Sequence, residues 1–163
     1  MTLVHGLDGG ERWGVFETLV FVAWSDDHLA ATEVASARAV AEELDLAGEP
    51  GAADARLRRG RRALADLDLE SRSDAARSIV YATAFWMALA DGVEHPAERA
   101  TLRMLRLRLG LDEVRAALLE ASARVVSASG DSAGPRVTYR ALLGAVSDLV
   151  RADGGPFGRA REV

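Results

Sequence analysis

The chain has 163 residues, 49% of them apolar and 28% charged, with four prolines and no cysteine. That profile excludes a disordered tail, disulfides, thiolate metal sites and cysteine nucleophiles, and a chain of this length can bury a core without external staples. A net charge of −5 with a pI near 5.2 argues against nucleic acid as the partner.

The N-terminal stretch Met1 to Asp8 lacks the basic flank and apolar run of a secretory signal. With the lack of cysteine, this leads us to expect a cytoplasmic protein. Strand signals are nearly absent, because no period-2 alternation is sustained between turn residues. Helix formers dominate instead. Helices are predicted over 11–25, 30–45, 52–67, 72–90, 96–109, 112–128 and 137–152. The third carries Arg56, Arg58, Arg59, Arg61 and Arg62, read as the only basic patch and as a solvated connecting helix near Asp54, Asp66 and Asp68. No aromatic platform interleaves with those arginines, which weighs against phosphate or nucleic-acid binding there.

Ser73 followed by Asp74 suits the start of the fourth helix, and Pro96 suits the first turn of the fifth. Gly92 and Gly110 fit helix C-terminal positions. The apolar run Ile79 to Ala90 is well short of the ~20 residues of a membrane span and reads as a buried core helix. Two loops are expected from composition, at 47–53 and 127–135. Trp13, Trp24 and Trp86 with Phe16, Phe21, Phe85 and Tyr81 fall at helical spacing and are assigned to the core. All 20 basic residues are arginine, a trait to which no functional weight is given.

An internal repeat runs at an offset of 65 residues, without gaps, from Val15–Leu46 onto Val80–Leu111. It pairs Thr18 with Thr83, Ala23 with Ala88, Asp26 with Asp91, Glu33 with Glu98, Arg38 with Arg103 and Leu44 with Leu109. A chance match between alanine-rich helices would not keep both acids and the aromatic positions, so a duplicated unit is the better account. A partial third unit, over about 137–163, carries Ala152-Asp153-Gly154, an echo of Ala90-Asp91-Gly92. The expected fold is therefore all-α, a single helical bundle of about seven helices over residues 1–163, built from a duplicated helix–acidic loop–helix unit.

Each unit reads as an apolar helix, Ala-x-x-Asp, a short loop, Glu seven residues after the Asp, and an amphipathic helix ending in Leu-x-Leu. The clearest copy runs from Ala88-Leu89-Ala90-Asp91-Gly92 through Glu98 to Leu109-Gly110-Leu111. In the first copy Asp27 replaces the glycine and Ser25 the small apolar residue. This pattern resembles the TerB-like family, named for a tellurite-resistance-associated protein. The resemblance implies a helical bundle with an acidic cluster for a divalent metal, and a partner module in stress-response and membrane-linked or phage-defence systems.

Asp26, Glu33, Asp91 and Glu98 are the candidate metal ligands. Two units related by a pseudo-twofold would bring them together at the centre of the bundle, and a carboxylate-only set suits Ca²⁺, Mg²⁺ or Mn²⁺. A ferritin-like di-iron site needs Glu-x-x-His, which does not occur here. The alternative reading makes the same acids helix caps, since Asp before a helix and Glu in its first turn both stabilise the N-terminus. His28 and His95 lie in the two loops at non-equivalent offsets and are read as solvated. No catalytic constellation emerges. The expectation is a non-enzymatic module with a protein partner, a homodimer being one form of it, without nucleic acid and without a transmembrane segment. Its rivals are a purely structural interaction domain and a carboxylate-based di-metal enzyme.

Overall fold

The computed structural model describes residues 3–46, 48, 51–60, 63–69, 72–92, 95–130 and 133–153. Among them are seven α-helices and no strand: α1 (Gly9–Ala23), α2 (Ala31–Glu43), α3 (Ala52–Arg58), α4 (Asp74–Ala88), α5 (Pro96–Arg108), α6 (Glu113–Ser129) and α7 (Pro135–Asp153). Short 3-10 turns at Leu3–Gly6 and Leu64–Asp66 complete the order.

The centre of the bundle is α4, in which twelve of fifteen residues are buried. A helix that is apolar on every side must be surrounded, and α4 packs on α1, α5, α6 and α7. On the far side α2 packs on α1 and α7, and α3 lies against α1 and α2. Phe16, Phe21, Tyr81, Phe85 and Trp86 are buried in one continuous core, while Trp13 and Trp24 are half-buried at its edge. The Trp86 and Tyr139 rings sit 5.3 Å apart, and the Tyr139 hydroxyl shares a buried 3.0 Å hydrogen bond with Thr83 Oγ1. That bond satisfies two polar groups that would be costly to bury alone. No helix among the described residues is long and apolar enough to cross a membrane.

Sequence-based boundaries hold closely except in two places. The third helix stops at Arg58 rather than continuing to residue 67, because Gly60 takes a left-handed conformation (φ 82°) that ends it. The expected loop over 127–135 is shorter, since α6 runs through Ser129 and α7 begins at Pro135, where the proline's missing N–H has no helical partner to lose.

The pairs α1–α2 and α4–α5 share their geometry. Gly9 and Asp74 open the first helix of each pair, and Ala23 and Ala88 close it. Ala31 and Pro96 open the second, and Glu43 and Arg108 close it. All four correspondences fall at the 65-residue offset. Asp27 and Gly92 both have positive φ (61° and 76°), as do Asp45 and Gly110 (55° and 64°). The replacement of glycine by Asp27 thus occurs at a left-handed position, which Asp tolerates better than most residues. After each second helix the same 6→1 closure forms, from Leu46 N–H to Ala41 O (2.9 Å) and from Leu111 N–H to Arg106 O (3.1 Å).

Candidate functional site

The four acids flank the turns between the paired helices. Asp26 lies just beyond α1, exposed, and its Oδ1 accepts a hydrogen bond from the His28 N–H at 3.0 Å, closing an Asx turn. Asp91 holds the matching exposed position beyond α4, so the two aspartates lie at the surface and not at the centre of the bundle as expected, because each follows the end of its helix in a solvent-facing turn. Glu33 and Glu98 are the third helical residues of α2 and α5. Both are buried, at 6% and 5% exposure, which is unusual for a carboxylate.

Each glutamate turns back onto its own helix start. Glu33 Oε2 accepts the Ala30 N–H at 2.7 Å, and Glu98 Oε2 accepts the His95 N–H at 3.0 Å. These are half capping boxes, for neither Ala30 nor His95 contributes a side-chain cap. The capping reading therefore fits the glutamates and not the aspartates, since the N-cap residues are Ala30 and His95. His28 and His95 are exposed, as expected, and both take part through their backbone N–H groups.

Electrostatics ties the four positions together. Burial pushes the Glu33 carboxyl up from 4.5 to about 7, the Ala30 N–H opposes this, and the charges of Glu98, Asp26 and Asp91 push it further up. Glu98 is also raised, by burial first and then by Asp91 and Asp26, against the pull of the His95 N–H and ring. The two loops thus share one acidic neighbourhood in the fold. It is not a finished cage, since no group of three or more acid or imidazole side chains among the described residues is arranged to hold a metal ion. One oxygen of each glutamate is committed to its helix start. Beside Asp26, Ser25 is buried with its hydroxyl unpartnered. Asp153, from the third echo, is elsewhere, where it forms an ion pair with Arg115; Gly154 lies outside the described residues.

The basic residues are distributed differently from the sequence-based expectation. In the 56–62 cluster, Arg56 is held by Glu17 at 2.6 Å and lies 3.7 Å from the Trp13 ring centroid, while Arg61 and Arg62 lie outside the described residues. A second basic group stands on α5 and α6, where Arg99, Arg103, Arg106 and Arg124 border a groove. The i, i+4, i+7 spacing of the first three was the available signal. Compared with protein-family models, curated proteins and solved structures, the chain matches none.

Proposed function

We propose that this chain is a non-enzymatic, TerB-like binding module built from a duplicated unit, in which Asp26, Glu33, Asp91 and Glu98 bind a divalent cation, Ca²⁺, Mg²⁺ or Mn²⁺. The observation that carries this reading is a pair of buried glutamates at matching positions, each raised by burial first and then by the charges of both aspartates. Four carboxylates in one neighbourhood repel one another, and a proton or a hard cation relieves that repulsion. The identical helix bounds at the 65-residue offset support the duplication. Links to stress response and to a protein partner come from the TerB-like resemblance.

A second reading is favoured by the two backbone hydrogen bonds to Glu33 and Glu98: the glutamates are caps, and the module is purely structural. A thermal melt of chelated protein, with and without each cation, separates the two. Saturation at a hundred times Kd stabilises by about 2.7 kcal/mol, a shift of a few degrees. We expect a shift that disappears in Asp91→Ala, whose side chain caps neither helix. No shift with any of the three ions leaves capping as the role. Glu98→Ala should then cost about 1 kcal/mol in metal-free buffer.

A further inference from the structure

We propose that two copies of this chain associate through the outer faces of α5 and α6, with the two α6 helices antiparallel across a twofold axis. A surface helix ordinarily turns its charged residues outward. In α6 they are directed elsewhere: Glu113, Glu120 and Arg124 line the groove toward α5, and Arg115 is ion-paired with Asp153 of α7. Ala116, Leu119 and Ala123 face the core. At 100° per residue, the side opposite them carries Val114, Ala117, Leu118, Ala121, Val125 and Ala128, all exposed. Val114, Leu118 and Val125 are 46% to 72% exposed. The helix is therefore apolar on two sides, and the core covers only one.

Of the six large apolar side chains that stand exposed among the described residues, five are on these two helices, Met104 and Leu107 being the pair on α5. The five expose roughly 500 Å² of apolar surface, the upper end of what a monomer shows. Pairing two copies removes about 1,000 Å² or more, the size at which specific association begins. The first half of the molecule indicates what kind of element covers such a face. There α7 packs along α2, and Ala39 is buried. No helix among the described residues gives the same cover to Met104, its counterpart at the 65-residue offset.

The stripe on α6 suits a second copy of itself. Val114, Leu118, Ala121 and Val125 follow one another at intervals of 4, 3 and 4, the spacing of a coiled-coil seam. That order reads the same in both directions. An antiparallel copy thus sets Val114 against the partner's Val125, and Leu118 against the partner's Ala121, a large side chain over a small one. The alanines let the two helix axes approach to the ~8–10 Å of ordinary helix packing. No acid or base stands on the stripe, so pairing it buries no charge. Because the twofold axis repeats every contact, association closes at two copies.

The test is sedimentation equilibrium of the full chain in metal-free buffer, so that the acidic loops play no part in the outcome. The mass should rise from 17.4 kDa toward twice that value as the concentration is raised to about 200 μM, the weak end of the range for interfaces near this size. L118E places a carboxylate against the partner's Ala121 and should weaken the dimer by about tenfold or more. V125E, seven residues along the same stripe, should do likewise, and it carries the test if circular dichroism shows L118E unfolded. V137E, at the exposed apolar position on α7, should leave the dimer unchanged. The proposal is overturned by a wild type that stays monomeric, whether or not it binds phosphatidylglycerol vesicles. It is equally overturned by a dimer that folded L118E and V125E both leave intact, or by growth beyond two copies.

Discussion

In the first half of the molecule, α2 is covered: α7 packs along it, Ala39 is 5% exposed, and Glu43 receives Arg136 and Arg140 at 2.6 to 3.0 Å. In the second half, α5 has the same length and the same turns at both ends, but Met104, matching Ala39, is 45% exposed, and Arg108 is exposed where Glu43 is half-buried. The inner faces of the two helices agree, with Val40 and Leu105 both fully buried and Glu33 and Glu98 both capping. Backbone geometry and the inner face are thus held in common, whereas the outer face follows whichever neighbour lies against it. Binding surfaces are free to arise on the outer face because it is the part not needed to close the core.

The largest effect should come from the inner face. Leu105→Ala empties a fully buried site, and we predict a loss of about 2–5 kcal/mol in urea unfolding. Val40→Ala, at the matching position, removes fewer atoms and should cost less. The reverse order would break the equivalence of the two inner faces.

The acids give the next effect. The folded-state pKa of Glu33 lies near 7 against an ordinary 4.5, so between these values the folded protein holds a proton that the unfolded chain has released. With respect to this group, stability should therefore be fully present below pH 4.5 and be lost as pH rises through that window. Glu33→Gln should remove this slope and stabilise the protein at pH 8 by on the order of 3 kcal/mol, since one pKa unit corresponds to about 1.4 kcal/mol. Calorimetric melts at pH 5 and pH 8 measure it, and a wild-type profile that is flat, or that rises with pH, would refute the raised Glu33 carboxyl.

The smallest effect sharpens the comparison at the turns. Gly110 has φ 64°, and a Cβ added there meets nothing closer than Arg77 Nη1 at 3.6 Å, so Gly110→Ala should cost only the backbone term, about 1 kcal/mol. Asp45→Gly, at φ 55° in the other half, should be neutral or slightly stabilising in thermal melts. Equal losses at both sites would show that the two turns are held by different forces.

Much of this was legible in the residues. Ser73 caps α4 through its hydroxyl to the Ala76 N–H at 3.2 Å, Pro96 opens α5, and Gly92 and Gly110 take left-handed conformations, all as their identities required. The end of α3 at Gly60 was equally legible, but the arginine-rich stretch around it reads as uninterrupted helix. For the acids, the 65-residue register identified Asp26, Glu33, Asp91 and Glu98 as equivalent pairs, and spacing alone could not say which of them cap a helix.

The sequence by itself determined the helices, their turns and the pairing of the acids, because these depend on side-chain periodicity and on the φ that each turn residue can adopt within a few neighbours. Only the tertiary structure decided that Glu33 and Glu98 are buried within electrostatic reach of both aspartates, and that four arginines from two helices border one groove. Those facts depend on which helices lie side by side across α4, and that arrangement comes from packing between residues far apart in the chain.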